Sequence, residues 1–313
     1  MLLKQDYLLP ASILLSALIL ASAWIYDLGL GAADKKEIAA EASVSELESQ
    51  LFPPDGILLP VRWGNLGKQM IEAGVIDLKK LEELYAGRGG LSAEERQLLT
   101  DENNEPLVLN GHNAAFLLNL FWALGLSSKN EILENGPMTD PRYGDPGSFA
   151  STGGWTLAKG EAMEHYSKHA FLNLTLEQQA LVEKVSKNIY RPCCNNSTYF
   201  PDCNHGMAML GFLELMAAQG ADEKEMYQFA WRLNSFWFPD QALTVAKYLE
   251  TKGTEWVAAD PKALSGADFF SASGYRKIQS SVVLPQQNQG GGCGVEAEVS
   301  SGAPAKSSGG CGV

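Results

Sequence analysis

Residues 7–26, YLLPASILLSALILASAWIY, run for twenty positions without a charge. That is about the length a helix needs to cross the hydrocarbon core of a bilayer. Tyr7, Trp24 and Tyr26 stand at its ends, where amphipathic rings prefer the membrane interface. Pro10 falls in the first turn, where a missing N–H is tolerated. Lys4 and the amino terminus precede the run, whereas residues 27–60 carry Asp27, Asp34, Glu37, Glu41, Glu46, Glu48 and Asp55 against Lys35 and Lys36 alone. The positive-inside bias therefore predicts an N-terminal membrane anchor over residues 1–30, a single transmembrane helix, with the body on the extracytoplasmic side. Ala21-Ser22-Ala23 offers the alternative of a signal peptide cleaved after Ala23, which would give a secreted protein.

The remainder divides by composition. Residues 31–52, rich in Ala, Glu and Ser, read as a stalk. Residues 53–284 read as a mainly α-helical extracytoplasmic domain with few strand-like alternations. Residues 285–313 have almost no large apolar side chain and read as a disordered Gly/Ser-rich tail. The tail carries Gly-Gly-Cys-Gly-Val twice, at 291–295 and 309–313, and with it Cys293 and Cys311. The net charge of −13 and the lack of a basic stripe argue against a nucleic-acid partner.

Helix ends are written into the body. Thr175 with Gln178, and Asp222 with Glu225, form capping-box patterns. They open helices whose apolar stripes are Leu181, Val185 and Ile189 in one and Met226, Phe229, Ala230 and Leu233 in the other. Between them, NHGMAMLGFLELMAAQG spaces Met209, Phe212, Leu213 and Met216 along one helix that stops at Gly220. A helix after Pro239 stops at Gly253. Earlier helices are expected at 64–73, 77–87, 91–100 and 112–125, and one at 175–190. The Pro- and Gly-rich stretch 136–157 is expected to be a functional or mobile loop, or a seam between two helical subdomains.

The chemistry concentrates in RPCCNNSTYFPDCNHGM, residues 191–207. Cys193 and Cys194 follow one predicted helix, and Cys203 and His205 open the next. A helix N-terminus favours the thiolate, the form that ligates soft metals and attacks disulfides. Three readings stay open. Cys193, Cys194, Cys203 and His205, with Met207 nearby, could bind zinc, Cu(I) or another thiophilic ion. Cys194 and Cys203 could close a structural disulfide. The cysteines could also exchange disulfides with a partner. The leading expectation is a membrane-anchored thiol protein that binds or handles a soft metal, without an assigned reaction. The tail thiols Cys293 and Cys311 are expected to reach the loop and exchange metal or disulfide with it or with a partner protein.

A second candidate is EAMEHYSKH, residues 161–169. Glu161, His165 and His169 would line one face of a helix at metal-binding spacing; a solvated polar face is the alternative. His112 is expected near a helix cap. Phe116, Phe121, Trp122, Phe229, Trp231 and Phe236 are expected in the core. No P-loop, G-x-S-x-G elbow, strand-linked G-x-G-x-x-G or c-type haem attachment sequence is present.

Residues 175–232 resemble the three-helix thiol module of cytochrome c maturation proteins of the CcmH type. In that module a helix leads to a cysteine loop, a second helix and a G-x-[SD]-[DE]-E turn into a third helix, and QGADEKEMY is similar to that turn. The resemblance implies thiol redox chemistry. The family's motif is C-x-x-C, whereas Cys193 and Cys194 are adjacent, so no catalytic role passes to them.

Overall fold

The computed structural model describes residues 15–24 and 43–282. The chain divides into two units, Met1–Glu48 and Ser49–Val313. The tail, with Cys293 and Cys311, lies outside the described residues, as do residues 31–42 of the expected stalk.

The N-terminal anchor is not supported. Among the described residues no helix is long and apolar enough to cross a membrane. The helix in this region covers residues 15–24. The flanking residues 7–14 and 25–26 lie outside the described part. The assignments drawn from the anchor, a single-pass membrane protein with an extracytoplasmic body, fall with it.

The second unit is mainly helical, with one small sheet. Helix α1 (residues 43–51) begins in the first unit and ends in the second; after it come β1 (Ile57–Gly64), α2 (Leu66–Glu72), α3 (Leu78–Ala86), α4 (Ala93–Thr100) and β2 (Asn103–Leu109). Then follow α5 (Ala114–Ser127), α6 (Glu131–Asn135), α7 (Leu176–Ser186), α8 (Asn204–Ala218), α9 (Glu223–Trp237) and α10 (Pro239–Thr251). Short helices α11 (Pro261–Leu264), α12 (Ala267–Phe270) and α13 (Ala272–Gln279) complete it.

β1 pairs antiparallel with β2. Sequence reading underweights this pair because Pro60 interrupts the first run, yet Leu59, Val61 and Trp63 alternate inward. A two-stranded sheet consists of edges, where a proline is tolerated.

The expected caps are present. Thr175–Gln178 and Asp222–Glu225 each form reciprocal capping boxes, satisfying N–H groups that would otherwise be orphaned. α7 stops at Ser186, short of the expected Tyr190. Beyond it the chain is diverted by Thr198 N–H donating to Ile189 O at 2.8 Å and Tyr190 N–H donating to Ser265 O at 2.8 Å. Ile189 is nevertheless fully buried.

Stretch 136–157 is not a seam between subdomains, because it lies wholly inside the second unit. It makes three 3-10 turns (Pro137–Thr139, Pro141–Tyr143, Pro146–Ser148). It then packs inward through Trp155, whose indole N–H donates to Val75 O at 2.9 Å. Trp122 in turn donates to Ser151 O at 2.6 Å.

The central pair is α5 against α8, both buried along nearly their whole length. Phe121 and Phe212 meet with ring centroids 5.1 Å apart, and Gly125 faces Gly211 where the backbones touch. This packing presents the N-terminal turn of α8, and hence Cys203 and His205, at a fixed position.

Further along α8, the Glu214 side chain is buried and accepts a hydrogen bond from Asn130 Nδ2. Burial drives its carboxyl well above the ordinary value, with the Asn130 bond opposing. A group with a raised folded pKa contributes stability that is fully present below the unfolded value and lost as pH rises through the folded one. Glu214→Gln removes that loss. Its stability relative to the native chain is expected to climb as pH rises above the ordinary carboxylate value. Urea unfolding at several pH values measures it, and a difference constant with pH would contradict the assignment.

Candidate metal centre

Arg191 organises the cysteine loop. Its side chain is 1% exposed, which a guanidinium tolerates only when its donors are matched. Nη2 pairs with Asp202 Oδ1 at 2.6 Å and donates to Phe200 O at 3.1 Å. Nη1 donates to Asn196 O at 3.0 Å, and Nε to Cys203 Sγ at 2.9 Å. Asn196 Nδ2 donates to the other Asp202 oxygen at 2.6 Å. One planar fork thus fixes both ends of the loop. Ser151 N–H, from the 136–157 stretch, donates to Asp202 O at 3.2 Å and ties that stretch to the loop.

Cys203 is the N-cap of α8, and its sulfur accepts from Gly206 N–H at 3.4 Å. Gly206 is required here by space: a Cβ would lie 2.6 Å from Arg191 Cζ. Cys193 Sγ stands 3.7 Å from Cys203 Sγ. Cys194 donates to Asn196 O at 3.7 Å. The three are thiols, with no disulfide, so the Cys194–Cys203 bridge, one of the three readings of the sequence, is not formed.

The electrostatics select one sulfur. The Cys203 thiol is held well below its ordinary value by hydrogen bonds from Cys193 and Cys194, assisted by the Arg191 charge and by His205, against the effect of burial. The N-terminal end of α8 favours the same charge. Cys194 goes the other way. The bond to Cys193 would pull it down, but the interaction with Cys203 and its own burial prevail and push it up to about 12. Burial opposes the charge on Arg191, yet the surrounding sulfurs and Asp202 keep it protonated. Burial raises the Asp202 carboxyl, opposed first by Arg191. The balance favours the thiolate form at Cys203, beside the Arg191 guanidinium.

Cys193, Cys203 and His205 present donor atoms all within 4.8 Å of one another, and Cys194, Asp202 and Cys203 form a second such group. These buried and half-buried Cys, His and Asp groups could hold a metal ion. The four residues expected from sequence are therefore gathered, in two overlapping triplets that share Cys203. Met207 is fully buried in the hydrophobic core.

The helix expected over Glu161, His165 and His169 is not formed. Residues Ala162–Glu164 make one 3-10 turn, and Ser167 adopts φ +49°. The chain then lies along the end of α5, with Ser167 N–H donating to Leu126 O and His169 N–H to Ser127 O. The two imidazoles still meet, Nδ1 of His165 and Nε2 of His169 lying 3.1 Å apart. Burial lowers the His169 pKa, with the charges of His165 and Lys168 adding. Glu161 is exposed, and among the described residues this pair gathers no third donor. His112 is exposed in the turn before α5, its N–H donating to Asn110 Oδ1.

Two residues of the site escape sequence reading, Arg191 and Asp202. Both flank the cysteines in RPCC and PDCNH, but as surface-type residues they carry no signal of burial. Compared with family models, characterised proteins and solved structures, the chain matches none.

Proposed function

We propose that the protein binds a soft metal ion at Cys193, Cys203 and His205, zinc first and Cu(I) second, and holds or hands on that ion. The observation that carries this reading is the 3.7 Å separation of the Cys193 and Cys203 sulfurs. A tetrahedral zinc with Zn–S bonds of about 2.3 Å sets two sulfurs about 3.8 Å apart. A two-coordinate ion with sulfurs on opposite sides would need a wider gap, which places Cu(I) second. His205 supplies a nitrogen donor, while Cys194 belongs to the second group, with Asp202 and Cys203. Arg191 Nε–H, already on Cys203 Sγ, would orient and stabilise that thiolate as outer partners of metal ligands do.

The test is competition with a chromogenic chelator in reduced protein. One zinc per chain is expected. Cys193→Ser and Cys203→Ser are each expected to weaken binding at least about 100-fold, or ~2.7 kcal/mol, with Cys194→Ser milder. Binding should fall with acid, since thiolate and neutral imidazole are the ligating forms. Stoichiometric uptake by both serine variants would refute the site.

Thiol–disulfide exchange is the second reading, favoured by the same thiolate with a second sulfur 3.7 Å away. Cys203, however, is only 5% exposed, which hinders attack on a bulky disulfide and leaves ligation unhindered.

A further inference from the structure

Cys193 Sγ and Cys203 Sγ lie 3.7 Å apart, and a disulfide sets two sulfurs about 2.05 Å apart. The gap to close is under about 2 Å. Cys193 supplies the movement most readily, since it lies in a turn and is half-buried. Cys203 stays where the N-cap of α8 holds it, with Arg191 Nε–H and Gly206 N–H both donating to its sulfur. Cys194 is the worse partner for closure: its sulfur donates to Asn196 O, and its carbonyl is anchored by Ala272 N–H at 2.9 Å. Cys203 also belongs to both donor groups, one with Cys193 and His205 and the other with Cys194 and Asp202. A Cys193–Cys203 disulfide would leave His205 alone in the first group and Cys194 with Asp202 in the second. Thiolates hold zinc, and a disulfide carries none. One covalent bond thus dismantles both groups. Arg191 would keep Asp202 and the carbonyls of Asn196 and Phe200, so the loop retains its anchor when oxidised.

We propose that hydrogen peroxide oxidises Cys193 and Cys203 to a disulfide and that the bound metal then leaves; the inference rests on the metal reading and adds its regulation. Peroxide is small enough to reach the half-buried Cys193, whereas a bulky disulfide is kept from the more deeply buried Cys203. The Cys193 thiolate attacks one peroxide oxygen: an S–O bond forms, the O–O bond breaks, and the departing hydroxide takes up a proton to become water. The Cys203 thiolate then attacks the sulfenic sulfur of Cys193. The S–S bond forms, the S–O bond breaks, and a second hydroxide takes up a proton. Each sulfur gives up one electron and the peroxide takes both. Zinc has no redox role and leaves as the divalent ion.

The experiment treats the full chain, reduced and loaded with zinc, with hydrogen peroxide in the presence of a chromogenic zinc indicator while thiols are counted. Release of the loaded zinc in step with the loss of two thiols is expected, and peptide mapping should find Cys193 joined to Cys203. A phosphine reductant should then restore zinc uptake, because the oxidised loop stays folded. Cys194→Ser keeps the pair and should release its zinc as the native chain does. Cys293→Ser with Cys311→Ser, which removes the tail thiols, should do the same. Zinc retained after peroxide by the native chain or by either variant would overturn the proposal. So would a main product joining Cys193 or Cys203 to Cys194 or to a tail cysteine, or release that the reductant does not reverse. Failure of the metal reading is distinguishable, because zinc uptake is then absent before any peroxide is added.

Discussion

Replacing Arg191 by Met is expected to destabilise the protein by about 3–5 kcal/mol, the usual consequence of removing one partner of a buried ion pair. The loss is large because four acceptors depend on one guanidinium: Asp202, Cys203 Sγ, and the carbonyls of Asn196 and Phe200. Methionine fills the space and satisfies none of them. Arg191→Lys keeps the charge but offers a point ammonium in place of a fork, and should recover only part of the loss. Thiolate absorbance gives an independent readout. The lowered Cys203 pKa contributes stability that is fully present above the ordinary thiol value and lost as pH falls through the lowered one. Without Arg191 the thiolate should titrate at higher pH, and this acid-side loss should shrink. An Arg191→Met protein with native stability and an unshifted thiolate titration would show that the guanidinium does not organise the loop.

The second large effect lies at the α5–α8 contact. A Cβ on Gly125 would stand 2.1 Å from Met207 O, and one on Gly211 would stand 2.3 Å from Phe121 O. Both obstacles are backbone carbonyls of the facing helix, which no rotamer change can move aside. Either alanine must push the central pair apart, and with it the packing of Phe121 on Phe212. Overpacking a tight core is destabilising by about 1–3 kcal/mol and occasionally more; with backbone as the obstacle, about 3 kcal/mol is expected for each variant. Gly87→Ala is the control. It has no neighbour within 4 Å of its added Cβ and an ordinary φ of −68°, so it should be neutral or stabilising by about 0.4–1 kcal/mol. Urea midpoints measure all three. A Gly211→Ala protein as stable as Gly87→Ala would mean the helices do not touch there.

What was legible in the sequence follows from how local each signal is. The boxes at Thr175–Gln178 and Asp222–Glu225 are local, because cap and partner lie three residues apart, and both formed. Cys193, Cys194, Cys203 and His205 stood close enough in sequence to be read as one cluster. The Arg191 fork was not legible, because its burial depends on α8 and the 136–157 stretch arriving from elsewhere. The Gly125–Gly211 contact joins residues far apart in the chain, and neither glycine marks a turn. His165 and His169 met by a route their spacing did not suggest, through a left-handed Ser167 rather than a helix. The apolar run at 7–26 shows the opposite failure: composition satisfied the rule for a span, whereas among the described residues no helix is long and apolar enough to cross a membrane.

The most direct test of the central claim is X-ray absorption at the zinc edge on protein purified anaerobically and loaded with one equivalent of zinc. The account predicts a four-coordinate ion with sulfur at about 2.3 Å and nitrogen at about 2.0–2.1 Å, with at least two sulfurs from Cys193 and Cys203 and one imidazole from His205. Cys203→Ser should lose one sulfur from that shell. A shell of oxygen and nitrogen alone, or a sulfur count unchanged by Cys203→Ser, would contradict it.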